Sequence, residues 1–173
     1  MSKKILLLLA SKNFRDIEYI VPRAFFERAG IVVHTTSTTT ESIGRFGFVV
    51  QNDLALKDAH ATNYDGIYFV GGAGSLEYLY NTVAKNLFTS FLVSKKPIAA
   101  ICAAPRNFLT WGLLTNKNAS GWNEDGAFSV LAKKHGAIDQ ATATVVVDGL
   151  ILTANGPEAS EESALAFIEL LDL

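Results

Sequence analysis

Ile98-Ala99-Ala100-Ile101-Cys102-Ala103-Ala104-Pro105 places an apolar run, a thiol and two small residues in direct succession. The apolar run has the length and character of a strand buried on both faces. A helix follows from about Ala104 to Trp111, stopped by Gly112. A buried strand that passes into a helix through small residues is a building unit of a parallel sheet flanked by helices.

The same alternation extends in both directions. Lys4–Ala10 reads as a buried strand. Asp16 is a candidate cap for a helix running to Ala29, with Gly30 behind it. Ile17, Ile20, Val21, Ala24 and Phe25 fall at helical spacing and predict its buried face, and Pro22 predicts a bend. Ile31–Thr35 and Asp65–Val70 are further core strands. Ile43–Val50 is an exposed strand pair or excursion. A helical stretch covers Ser75–Ser94, with a break near Asn81. Ala127–His135 forms a helix ended by Gly136. Val145–Leu152 predicts a hairpin, because Asp148-Gly149 suits a primed two-residue turn. Ser160–Leu171 closes the chain as a helix with Glu161 and Glu162 favourable in its first turn. The expectation is an α/β fold with a mostly parallel sheet, helices on both faces and a C-terminal hairpin.

The 173 residues suit one domain over 1–173, since a domain takes about 150 residues. Hydrophobic residues at 49% against charged residues at 18% argue for a globular core and against disorder. The longest aliphatic run, Ile5–Ala10, is too short to span a bilayer. Lys3-Lys4 ahead of it is a poor signal sequence, because Ser11-Lys12-Asn13 is a poor cleavage site. The net charge is −2 and no basic cluster appears, which argues against nucleic-acid binding. Cys102 is the single cysteine, so no internal disulfide and no cysteine-based metal cluster can form. A lone thiol suits a reducing cytoplasm. His34, His60 and His135 are scattered without metal-ligand spacing, and the expectation is no metal.

In a parallel sheet the strand-to-helix turns gather at the carboxyl edge, where ligands bind. Glu18, Gly71-Gly72, Cys102 and Gly156-Pro157 all fall on such turns. Cys102 is either a nucleophile at a tight elbow or a buried structural thiol, and position alone does not choose. In the first case the helix amides beyond it favour the thiolate. Gly71-Gly72 is either a plain turn or, with the amide of Ala103, an oxyanion site facing Cys102. Glu18 alone reads as an ordinary first-turn acid.

Together these residues resemble the ThiJ/PfpI superfamily. Ala100-Ile101-Cys102-Ala103-Ala104-Pro105 is similar to its nucleophile elbow. Glu18 with Val21-Pro22, Glu27-Arg28-Ala29-Gly30, Phe69-Val70-Gly71-Gly72 and Asp148–Thr153 with Gly156-Pro157 follow in the same order. The similarity is greatest to the branch of the parkinsonism-associated deglycase and its bacterial chaperone-like relatives. The resemblance implies a flavodoxin-like three-layer sandwich, commonly a homodimer. It implies Cys102 as reactive thiol, Glu18 as its protonated partner, and the Gly72 and Ala103 amides as an oxyanion site. Gly71 and Pro157 are the further substrate-binding candidates.

Two departures stand out. Peptidase-like relatives carry a His directly after the elbow cysteine, where this chain has Ala103. Another branch carries one about twenty residues later, near Gly121-Trp122, so a Cys–His pair lacks its obvious base. Arg106-Asn107 replaces small or apolar residues, and Arg106 is expected to face solvent. The implied function is a cofactor-free enzyme acting on reactive dicarbonyls or early glycation adducts. The alternatives are an oxidative-stress sensor or chaperone working through Cys102, an amidase or peptidase, and a binding module without chemistry.

Overall fold

The computed structural model describes residues 2–172. Seven strands form the main sheet: β1 (Lys4–Leu8), β2 (Val32–Ser37), β3 (Leu54–Ala55), β4 (Gly66–Phe69), β5 (Ile98–Ile101), β6 (Val145–Asp148) and β7 (Ile151–Ala154). Their spatial order is β6-β7-β5-β4-β1-β2-β3, parallel throughout except for β6 against β7. The chain walks outward from β1 in one direction and then, from β4, in the other. The order therefore reverses between β1 and β4, where a ligand crevice forms at the carboxyl ends.

The helices are α1 (Asp16–Arg28), α2 (Thr82–Val93), α3 (Pro105–Thr110), α4 (Ala127–His135) and α5 (Ser160–Leu171). Consecutive residues of β4 show how they layer, because successive strand side chains point to opposite faces. Tyr68 packs edge-on against Phe26 of α1 and Phe167 of α5, with centroids 5.6 and 5.7 Å away. Phe69 faces the other side, against Phe88 of α2 and Phe108 of α3 at 5.5 and 6.4 Å. Tyr68 keeps its hydroxyl satisfied by Ser163 at 2.8 Å. This is the three-layer, flavodoxin-like arrangement. No helix among the described residues is long and apolar enough to cross a membrane.

Several local readings change. Helix α1 buries Tyr19, Pro22 and Phe26, while Ile17 and Ile20 remain 46% and 42% exposed. Of the predicted stripe, Ile17, Ile20 and Ala24 face outward, Val21 and Phe25 are half-buried with Phe25 against the core, and Tyr19 supplies a fully buried contact instead. The helix continues through Pro22 to Arg28. Asp16 does not cap it. The Asp16 carboxylate accepts from the backbone N–H groups of Phe46 and Phe48, 3.0 Å each, and so ties the segment 41–51 to the start of α1. That segment is an antiparallel hairpin, Glu41–Gly44 with Val49–Gln51.

The stretch after Gly72 divides as expected near Asn81. A 3-10 turn covers Ala73–Tyr78, and Asn81 caps α2 by accepting from Ala84 N at 3.0 Å. The C-terminal hairpin turns on Gly149-Leu150 rather than Asp148-Gly149, since Asp148 pairs with Ile151. Gly149, at φ +63°, carries the only positive φ of that turn, the pattern of a type II′ turn. Asp148 is freed to accept from Lys117 Nζ at 3.0 Å and from Asn118 N at 2.9 Å.

Candidate active site

Cys102 follows β5 and adopts φ +63°, in the left-handed region. For a residue with a Cβ this costs about 1–2 kcal/mol. Two backbone bonds hold it there: Cys102 N donates to Ala154 O, and Trp122 N donates to Cys102 O, both 2.8 Å. The chain can turn this sharply because Ala103 and Ala104 add no bulk. The side chain sits above the carboxyl edge of the sheet, 9% exposed.

Glu18 arrives from the first turn of α1 and is wholly buried. Gly71, just after β4, is what allows it to approach. A Cβ on Gly71 would lie 2.3 Å from Glu18 Oε2, 2.3 Å from Ile101 O and 2.8 Å from Cys102 Cβ. Arg15 N donates to Gly71 O at 2.9 Å and locks this turn to the start of α1. Gly72, at φ +97°, is equally constrained, with the site of a Cβ only 2.4 Å from Arg15 N. The amides of Gly72 and Ala103 face the Cys102 sulfur, whereas the amide of Gly71 faces Glu18. Four segments distant in sequence thus converge on one thiol.

Burial pushes the Glu18 carboxyl up to about 8. The Cys102 thiol, Arg15 and the Gly71 amide pull it back, and Glu158 adds a small upward push. Neither carboxyl oxygen has a hydrogen-bond partner of ordinary geometry. An acid in this environment is mostly protonated at neutral pH. The expectation for Cys102 was a depressed thiol, and the structure reverses it. Burial first, then repulsion by a Glu18 carboxylate, push the thiol up to about 12. The Gly72 and Ala103 amides oppose this without prevailing. The physical reason is local: the sulfur is 9% exposed, and the two amides offset only part of the loss of hydration. The repulsion is absent while Glu18 holds its proton. A thiolate is therefore formed most easily beside a neutral Glu18, and the two groups titrate as a pair.

Cys102 opens onto a cavity of about 780 Å³. Gly72, Ala103 and Pro157 line it, as do Arg15, Arg45, Arg106 and Trp122. Arg106 does not face solvent as expected; it is 6% exposed. Its Nη2 donates to Asp125 Oδ1 at 2.6 Å and to Trp122 O at 2.9 Å, and its guanidinium lies 5.1 Å from the Trp122 ring. A carboxylate nineteen positions away and an aromatic face together make burial affordable, and neither is visible beside Arg106 in the sequence. No histidine lines the cavity among the described residues. His34 is engaged with Tyr64, 3.2 Å from Nδ1 to Oη, and His60 lines a separate shallow groove. Arg15, Arg45 and Asp125 had no signal of their own in the sequence. Arg45 in particular reaches the cavity because its hairpin is tied to Asp16 and to residues 12–14, Arg45 N donating to Phe14 O at 2.8 Å.

The comparisons agree with this geometry. The family model described as DJ-1/PfpI family matches residues 3–170. An uncharacterized protein of Methanocaldococcus jannaschii is 35% identical, covering 98% of this chain and 82% of that protein. A Bacillus subtilis protein provisionally named cysteine protease YraA is 31% identical, covering 93% of this chain and 94% of its own. The glutathione-independent glyoxalase DJR-1.2 of Caenorhabditis elegans is 27% identical over 98% of this chain and 89% of its own. The crystal structure of a ThiJ/PfpI domain protein from Brachyspira murdochii superimposes with a TM-score of 0.92. It shares 28% identity, covering 99% of this chain and 97% of that one. A match that runs from residue 3 to residue 170 leaves no strand of the sheet outside it, and the chain belongs to the DJ-1/PfpI family.

Proposed function

We propose that this protein is a cofactor-independent cysteine enzyme acting on reactive dicarbonyls, converting 2-oxoaldehydes to 2-hydroxy acids or removing early glycation adducts. The observation that carries the reading is the buried carboxyl of Glu18 beside an elbow thiol on a cavity wall. The glyoxalase name of one relative supports the same chemistry.

In this reading Glu18 enters as the carboxylate: Cys102 Sγ adds to the aldehyde carbon, and the thiol proton passes through Glu18 to the neighbouring ketone oxygen of the substrate, leaving Glu18 a carboxylate again. The carbonyl π bond becomes a C–O bond, and the developing oxyanion takes hydrogen bonds from the amides of Gly72 and Ala103. An acid near 8 can both accept and return a proton close to neutral pH. Glu18 as carboxylate removes the proton on the first carbon and, as acid, delivers it to the second. The electron pair stays in the substrate: the first carbon is oxidised to a thioester while the second is reduced to an alcohol. Water then cleaves the C–S bond, releasing the 2-hydroxy acid and the thiol. Pro157 lines the pocket around these steps, whereas Gly71, expected to bind substrate, stands outside the lining and spaces Glu18 from Cys102.

The test is lactate formation from methylglyoxal. Wild-type protein is expected to produce it, with losses of about a hundredfold or more in Cys102→Ala and Glu18→Gln. No lactate from the wild type, or undiminished lactate from Cys102→Ala, overturns the reading. Peptidase chemistry is less well supported, because no histidine lines the cavity among the described residues to protonate a leaving amine. A redox sensor asks for an acidic thiol as well as an accessible one; Cys102 opens onto the cavity, but burial pushes its thiol up, which weighs against thiolate oxidation.

We also propose a homodimer in a reducing, cytoplasmic setting. Ile17 and Ile20 of α1 and Phe48 and Val49 of the hairpin are all exposed, and Asp16 ties the hairpin to the start of α1, which supports an apolar face that a second copy would cover. Ile20→Glu is expected to convert a dimer to a monomer in sedimentation analysis, and a monomeric wild type overturns it.

A further inference from the structure

Two arginines at the cavity are held in place without being neutralised. The Arg15 guanidinium lies 5.0 Å from the centroid of the Phe46 ring, and that of Arg45 lies 5.8 Å from the same ring. Neither forms an ion pair among the described residues. Arg15 Nε is buried without an acceptor. Arg106, on another wall and 6% exposed, also has a buried Nε without an acceptor. Buried donors left unpaired are uncommon and call for a partner. An aromatic ring orients a guanidinium but leaves its N–H edge free.

The cavity also carries Glu124, Asp125 and Glu158, so its formal charges balance. Their settings differ. All three carboxylates lie on the exposed rim, where water and salt screen them, and Asp125 is already committed to Arg106. Arg15 stands partly buried and close enough to Glu18 to lower its titration, whereas Arg45 is as exposed as the carboxylates and adds its charge from the mouth of the cavity. A donor placed like Arg15 acts more strongly on a ligand than a solvated rim charge does.

We infer that Arg15 and Arg45 form an anion grip beside Cys102, and that the preferred substrate is a short oxo compound bearing a carboxylate or phosphate. The inference rests on the dicarbonyl reading for the reaction but not for the binding. The anion docks on the two guanidinium edges at the mouth, and the carbonyl carbon reaches toward Cys102 Sγ. Neutral dicarbonyls lack this hold and enter as weaker substrates.

The test compares alkylation of Cys102 by iodoacetate, which carries a carboxylate, with alkylation by neutral iodoacetamide. In both reagents sulfur displaces iodide from a CH₂ group, so no dicarbonyl turnover is involved. The ratio of the two rate constants, normalised to that of free cysteine, is expected to favour iodoacetate about tenfold. Arg15→Gln and Arg45→Gln should each reduce the normalised ratio severalfold while iodoacetamide still reports an intact elbow. Protection against iodoacetamide by inorganic phosphate or by acetate tells which anion fits. A wild-type ratio equal to that of free cysteine overturns the proposal, as does a raised ratio that neither substitution lowers. Anion preference without lactate formation from any 2-oxoaldehyde sinks the reaction and leaves the grip standing.

Discussion

Glu18 and Cys102 meet across a residue that has room for no side chain. A methyl group on Gly71 would stand 2.3 Å from the Glu18 carboxyl oxygen and 2.8 Å from the Cys102 Cβ. The glycine is the spacer that lets an acid from α1 and a thiol from β5 share one proton environment.

Gly71→Ala is therefore expected to break the site and to destabilise the protein by about 3 kcal/mol or more, because the carbonyl of Ile101 is also in the way. Gly112→Ala is the control. Gly112 has φ +78° and open space around it, so the cost is about 1 kcal/mol of backbone strain alone. Urea unfolding of the two variants measures the difference.

Replacing Cys102 separates strain from chemistry. Cys102→Gly relieves the left-handed φ, whereas Cys102→Ala keeps it. Both should lose dicarbonyl turnover, and the glycine variant should be the more stable by about 1 kcal/mol. Equal midpoints in urea would contradict strain at the elbow.

Glu18 makes stability depend on pH. Its carboxyl is at about 8 in the folded chain against 4.5 when unfolded. Between these values the folded state keeps a proton that the unfolded state has released. Stability from this residue is fully present below about 4.5 and falls as pH rises toward 8, by at most about 1.4 kcal/mol per pH unit. Glu18→Gln removes the dependence. Wild type minus variant, measured by chemical denaturation from pH 5 to pH 8, should slope downward, and a flat difference would refute burial of the neutral acid.

The same pair sets the reactivity of the thiol. Alkylation by iodoacetamide should rise through about pH 8, as the pair gives up its first proton. Above that pH the wild type carries a carboxylate that opposes a thiolate, and Glu18→Gln does not. The variant should then alkylate faster than wild type at pH 9 while turning over dicarbonyl at least a hundredfold more slowly. A variant slower in both assays would mean that Glu18 promotes the thiolate at high pH.

The sequence by itself determined the layered sheet, because patterning within a few residues suffices for it. Ile98–Ile101 reads as a strand buried on both faces, and Ala103-Ala104 leave room for a tight turn into a helix after it. The order of such units then brings their turns to one edge, so Glu18, Gly71, Gly72 and Cys102 were legible as a set. The tertiary structure decided what no local pattern encodes. It turned Ile17 and Ile20 outward, since Tyr19, Pro22 and Phe26 met the aromatic layer better. It buried Arg106 by bringing Asp125 and Trp122 to it. It carried Arg45 to the cavity through a hairpin anchored on Asp16. It also set the titration of Glu18 and Cys102, because desolvation depends on every segment that closes over a group and on none of its neighbours in sequence alone.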